Sequence, residues 1–276
     1  MTRPPILIAQ ITDLHIKRPG KLAYGKVDTA TALQRLVVTL NALRPQPDLV
    51  VISGDLVDNG TAEEYAYLVS LLEPLTIPLA VMPGNHDCRE PMRAIFPKQP
   101  FAQMAALNQI RRVGDIDIIA LDSSVTGKPH GELDPATLAW LDKALSVDPS
   151  RPAIIFLHHP PFKTGIWHMD SQNLCNADDL ATIIRRYPQV ALVAAGHVHR
   201  ATFTRFAGTL ASICPAPSHA VQLDLAQMIA PSFAIEPAAF HLHAWLGGHD
   251  GLVTHHIPVG RFDGPHPFFG GDGKLL

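Results

Sequence analysis

The sequence predicts an α/β sandwich with a β-rich C-terminal portion, and three observations carry that expectation. Short apolar runs bounded by turn residues recur through the first two hundred residues. Segments with three- and four-residue apolar spacing lie between them, and beyond residue 199 the spacing changes to period two. With 276 residues, 47% of them apolar, the chain can bury one large core or a domain with an appendage.

Each element has its own signature. Ile6–Ile11, Leu49–Ile52, Leu79–Met82, Ile116–Leu121, Ala153–Leu157 and Val190–Ala195 are continuous apolar runs, as strands covered on both faces require. Asp28 can cap a helix carrying Leu33, Leu36, Val37, Leu40 and Leu43 on one face. Thr61 and Glu64 form a capping box ahead of Tyr65, Leu68 and Leu72. Asp134-Pro135 places an N-cap before a first-turn proline and opens a helix through Leu145. Asn176 can cap another that ends before Pro188. Beyond His199, Ala238–Trp245 alternates and Leu252–Ile257 is a further strand, so this part is expected to be antiparallel. From Pro258 onward the chain is rich in Gly and Pro and is expected to be a surface arm. Residues 1–199 are thus the expected core. Residues 200–276 supply the last strands, cap or oligomerisation elements, and the tail.

Composition narrows the partners. A net charge of −3 without blocks of like charge points away from a nucleic-acid polymer and from an anionic membrane, and toward a small substrate. Three widely spaced cysteines, Cys88, Cys175 and Cys214, fit a reducing compartment, so a cytoplasmic location is expected. The apolar run Ile6–Ile11 is too short for a signal segment or a membrane span. Fifteen histidines is a large number for this length and favours metal ligation.

The chemistry lies just past the end of each strand. Ile6–Ile11 leads to Asp13-Leu14-His15, Leu49–Ile52 to Gly54-Asp55, and Leu79–Met82 to Gly84-Asn85-His86-Asp87. Ala153–Leu157 leads to His158-His159-Pro160-Pro161, and Val190–Ala195 to Gly196-His197-Val198-His199. Any one of these is an ordinary loop or turn. Five together deliver Asp, Asn and His to the carboxyl edge of the strands, where α/β sheets build ligand sites. A pair of cations needs a bridging anion and O and N donors on each side, and Asp55 is the candidate bridge. The absence of cysteine from the clusters argues against a structural thiolate zinc site.

These blocks, in this order, resemble the calcineurin-like metallophosphoesterase pattern over residues 6–199. Lys21 to Asp28 and the His158–Pro161 run are similar to bacterial glycerophosphodiesterases and class III cyclic-nucleotide phosphodiesterases. The resemblance implies a four-layer αββα sandwich of two mixed sheets flanked by helices, with two metal ions of the Fe, Zn, Mn or Co type at its rim. It implies one metal on Asp13, His15, Asp55 and His199 and a second on Asp55, Asn85, His158 and His197. His86 then faces the phosphate as a catalytic group, and a metal-bound hydroxide attacks phosphorus. Asp58 is expected to orient His86 through its carboxylate, and Tyr24 and His219 to approach the substrate beside Asn85 and His86. His159 and His168 are placed behind the ligands, and His241, His243, His255 and His256 at the surface or an interface.

Departures from the pattern bear on substrate. Asn59 stands where phosphoprotein phosphatases carry a phosphate-gripping arginine, and Asp87 stands where they carry Glu. Both favour small phosphodiesters, glycerophosphodiesters first. The alternatives are a 3′,5′-cyclic-nucleotide phosphodiesterase, a promiscuous monoester, triester or phosphonate-ester hydrolase, and a non-catalytic scaffold, which the full ligand set disfavours. Relatives of this branch associate through C-terminal strands, and Ala238–Trp245 would be costly as a bare edge, so a homo-oligomer is expected.

Overall fold

The computed structural model describes residues 4–248, 250–271, 274 and 275. In chain order the strands are β1 (Ile6–Ile11), β2 (Leu49–Ser53), β3 (Leu79–Met82), β4 (Gln109–Val113), β5 (Ile116–Leu121), β6 (Ala153–Leu157), β7 (Val190–Ala195), β8 (Thr202–Phe206), β9 (Thr209–Ile213), β10 (Ala220–Val221), β11 (Phe233–Ala234), β12 (Ala239–Gly247) and β13 (Gly251–Pro258). The helices are α1 (Thr29–Ala42), α2 (Ala62–Leu72), α3 (Arg89–Ile95), α4 (Pro135–Ser146), α5 (Trp167–Asp170) and α6 (Ala177–Ile184).

Two mixed sheets form, in the orders β13-β12-β1-β2-β3 and β4-β5-β6-β7-β9-β8. Alternation along the strands divides the core. Ile8, Val51 and Met82 face Ile154, Phe156 and Leu192 of the second sheet, whose other face carries Ile155 and Val193, in one cluster with Leu141 of α4 and Leu180 of α6. Ala9, Val50, Ile52 and Val81 turn the other way, onto Leu33 and Leu36 of α1 and Tyr65 and Leu68 of α2. The expected four layers result, with β1, β2, β6 and β7 buried along their length or nearly so.

Capping follows local chemistry. Asp28 accepts from Thr31 N, the Thr61–Glu64 box closes in both directions, and Asp134 accepts from Thr137 N. Asn176 stands at the N-cap of α6 as expected but makes no side-chain capping bond, because its amide accepts from Leu133 N and donates to Leu133 O. The short strands β4, β8 and β9 and helices α3 and α5 lie outside the sequence expectation. β4 and β8 alternate buried or half-buried with exposed residues and carry polar side chains.

The C-terminal strands behave differently from expectation in one respect. β12 is no bare edge; it pairs antiparallel with β1 on one side and β13 on the other. His241 and His243, opposite Gln10 and Ile8 of β1, are therefore fully buried against the second sheet rather than at the surface. Phe203 stacks on His241 and Phe156 meets His243 edge-on. His255 and His256 of β13 are exposed. Among the described residues, no helix is long and apolar enough to cross a membrane.

Candidate metal centre

The carboxyl ends of β1, β2, β3, β6 and β7 converge on one rim. Asp13 N donates to Gly54 O and His15 N to Asp55 O, each at 3.0 Å, so the first two turns run side by side. His86 N donates to Asp55 Oδ1 at 2.9 Å, and His197 N to both oxygens of Asp13 at 3.1 and 3.0 Å. Two glycines permit this crowding. A Cβ on Gly84 would lie 2.2 Å from Asp55 Oδ1, and one on Gly196 would lie 2.1 Å from Thr12 Oγ1.

Five side chains of the cluster are aimed by backbone rarely seen outside glycine. Asp13, His15, Asp55, His197 and His199 have φ of 54°, 45°, 51°, 72° and 56°. Non-glycine residues persist there only where their surroundings over-determine them, and such positions gather at functional sites.

The imidazoles are pre-oriented. His15 Nδ1 donates to Asp58 Oδ1 at 3.3 Å, His158 Nδ1 to Ser53 O at 3.0 Å, and His199 Nδ1 to His219 O at 3.3 Å. With the proton on Nδ1, each Nε2 presents a lone pair, the form in which imidazole ligates a metal. Those lone pairs meet: His15 Nε2 and His199 Nε2 are 3.2 Å apart. Two acceptors at that distance repel unless a cation sits between their lone pairs. Asn85 Oδ1, His158 Nε2 and His197 Nε2 are likewise buried without a hydrogen-bond partner. Asp55 Oδ2 lies 3.3 Å from His158 Nε2 and 3.6 Å from His15 Nε2, between the two groups. Donor atoms of Asp13, His15 and His199, of Asp13, Asp55 and His158, and of His158, His159 and His197 fall within 4.8 Å of one another in each set. The donors present fit a pair of borderline divalent cations.

Charge is distributed accordingly. Burial disfavours the Asp55 carboxylate, yet His158, His86 and His15 hold it well below the usual range. Burial also opposes protonation of His158, but the Asp55 and Asp13 charges lift it to about 9, so a cation bound at its Nε2 would have to displace a proton there. Burial, then the neighbouring His158, push His197 down to about 3.

A cleft of ≈ 770 Å³ opens over these groups. Its floor is His15, Asp55, Asn85, His86, His197 and His199; its walls include Tyr24, Lys26, His168, His219, Phe233 and Ile235. Tyr24, half exposed, packs its ring against His219 and Phe233. The His219 ring lies 4.5 Å from that of His199. His159 is buried, with its ring 4.8 Å from His197 and its Nδ1 2.8 Å from Ser123 Oγ.

A family model described as calcineurin-like phosphoesterase matches residues 6–201. The chain belongs to the calcineurin-like phosphoesterase family. Within it, this chain is 41% identical over 273 residues to a probable glycerophosphodiester phosphodiesterase of Arcobacter nitrofigilis, covering 98% of this chain and 100% of that one. It is 31% identical over 198 residues to the 3′,5′-cyclic adenosine monophosphate phosphodiesterase of Escherichia coli, covering 71% and 70%. The fold matches a dimetal phosphatase from Danio rerio at a TM-score of 0.64 and 13% identity, over 94% of this chain and 100% of that chain. The family and the donor clusters together give a dinuclear metal site.

One expected contact within this calcineurin-like site is different. The Asp58 carboxylate does not reach His86; it meets His15 and Lys17, and the Asp58 backbone carbonyl accepts from His86 Nδ1 at 2.8 Å. Lys17 draws the carboxylate away, and its place two residues past His15 was the available sequence signal. Lys26, Phe233 and Ile235 also escaped the sequence reading. Phe233 and Ile235 follow a proline in a segment too irregular to place, whereas Lys26 sits inside the conspicuous Lys21–Asp28 stretch.

Proposed function

We propose that this chain is a dinuclear-metal phosphodiesterase acting on small phosphodiesters, with glycerophosphodiesters preferred. The observation that carries the preference is coverage. The glycerophosphodiester phosphodiesterase relative covers 98% of the chain, including the segment bearing Phe233 and Ile235, whereas cyclic-nucleotide phosphodiesterase relatives cover 71% to 83% of it. Asp13, His15, Asp55 and His199 would hold one cation, and Asp55, Asn85, His158 and His197 the other. Bound there, two cations would acidify a water and offset charge on the phosphoryl oxygens.

The chain's own groups do the rest. Asp55, whose Oδ2 lies between His158 Nε2 and His15 Nε2, would be the group held in common by the two cations. His86 is fixed through Nδ1 on the Asp58 carbonyl, and although burial opposes it, the Asp55 charge and that bond raise its pKa, so that as an imidazolium its Nε2–H can donate to the alkoxide leaving oxygen. Tyr24, His219 and Phe233 exclude water from one side of the cleft. Lys26 is the lone lysine or arginine among the described residues that line it, which suits a monoanionic diester better than a dianionic monoester.

A panel with added Mn²⁺ tests this. kcat/KM should be highest for glycerophosphoethanolamine, lower for cyclic AMP and lowest for p-nitrophenyl phosphate. A preference for p-nitrophenyl phosphate over its bis ester would sink the diesterase assignment. The cyclic-nucleotide alternative would instead place cyclic AMP first. A cytoplasmic, homo-oligomeric protein fits the cysteine usage and the exposed Phe262, Phe268 and Phe269 beyond β13. A 30 kDa particle by light scattering at micromolar concentration would overturn the oligomer.

A further inference from the structure

Asp87 directly follows Asn85 and His86, yet its side chain turns away from the cleft. Its Oδ2 accepts from Leu56 N at 3.1 Å and Gly84 N at 2.9 Å. Its Oδ1 accepts from Val57 N at 3.4 Å and from the Tyr65 hydroxyl at 2.8 Å. Leu56 and Val57 follow Asp55, and Gly84 precedes Asn85. One carboxylate therefore ties the loop that carries the shared aspartate to the loop that carries Asn85 and His86.

Tyr65 closes the arrangement from the outer layer. It is fully buried on α2, and its hydroxyl also accepts from Cys88 N at 3.1 Å. The hydroxyl thus grips the loop directly at Cys88 and, through Asp87, at Gly84. The start of α2 is itself fastened to the first loop, because Glu64 accepts from Asn59 N at 3.0 Å. Sequence reading places Tyr65 on the apolar face of a helix, and its ring does pack there; the hydroxyl is the part that faces the site loops.

We infer that Tyr65 and Asp87 are a positioning pair that sets the separation of Asp55 from Asn85, and hence the geometry of the second metal position. This rests on the dinuclear assignment above. The first position draws on Asp13, His15 and His199, which the pair does not touch. Asp55 is anchored to it independently through the His15 N bond to Asp55 O. Loss of the tyrosine hydroxyl leaves a buried carboxylate one donor short, and the loops relax to satisfy it. Partners behind a ligand typically matter about 10–100-fold in metal affinity or activity.

The test compares the parent with Tyr65→Phe and Asp87→Asn by calorimetric titration of Mn²⁺, with chelated samples melted in parallel. Phenylalanine keeps the ring in place, so Tyr65→Phe should unfold cooperatively and retain first-site affinity. Its second-site Kd should rise about tenfold, and that of Asp87→Asn by more, toward a hundredfold. In both, kcat should recover as Mn²⁺ is raised, which a general loosening of the fold would not produce. Equal weakening of both sites, or of neither, overturns the inference while leaving the dinuclear centre intact. A parent that binds one equivalent of Mn²⁺ overturns both.

Discussion

His86 is held by the backbone carbonyl of Asp58, at 2.8 Å, and not by its carboxylate. A carbonyl survives any side-chain substitution at its residue. Asp58 thus serves two histidines through two different groups, and only one of them can be removed by mutation.

Asp58→Ala should therefore act chiefly through His15. With His15 Nδ1 and Lys17 deprived of their acceptor, first-site metal affinity or kcat should fall about 10–100-fold. The loss should be the same for good and poor leaving groups, because His86 keeps its orientation. A Brønsted series over diesters with different alcohols checks this, and a loss confined to poor leaving groups would contradict it.

His86→Ala should retain two metals and lose mainly kcat, by about 10²–10⁴-fold for an alkyl diester. The deficit should shrink for bis-p-nitrophenyl phosphate, whose phenolate needs no proton. Metal analysis of the purified variant decides whether His86 is a ligand instead; loss of an equivalent would make it one.

Asp55→Ala should remove the group between the two donor sets, lowering metal content at both positions and abolishing turnover. Asn85→Ala should spare the first position and weaken the second. A titration that showed the same pattern for both variants would refute the shared role of Asp55.

Acid stability should depend on His241. Burial, then the nearby His256, hold it at about 4, against 6.5 for the free side chain. The unfolded chain takes up a proton below about 6.5 that the folded chain refuses until about 4. The stability is thus complete above about 6.5 and lost as pH falls through that window, on the order of 3 kcal/mol at about pH 4. Neither ring nitrogen has a hydrogen-bond partner, so His241→Phe forfeits no hydrogen bond and keeps the stack on Phe203. Urea unfolding in chelator from about pH 7 to 4 should show a shallower decline in the variant; parallel declines would refute the assignment.

Much of this was legible in the residues. The strand ends carry their chemistry in order, and the apolar runs are long enough to locate six strands to within a residue. What was hidden depends on neighbours remote in sequence. Whether β12 is an edge or an interior strand depends on β13 adding beyond it, so the burial of His241 and His243 could not be read from their alternation. Which oxygen of Asp58 meets His86 depends on Lys17 arriving from another loop. The Tyr65 hydroxyl is invisible to a pattern that counts its ring as apolar.

The left-handed backbone at Asp13, His15, Asp55, His197 and His199 has an evolutionary consequence. Each such position costs roughly 1–3 kcal/mol against relaxed backbone, and glycine would relieve much of it. Mutational drift under selection for stability alone would then erode this site from within, since the changes that make the protein sturdier are the ones that erase its ligands. The five residues endure only while turnover is under selection. In a descendant freed from catalysis, these strand ends, more than the core, are where glycine should appear first.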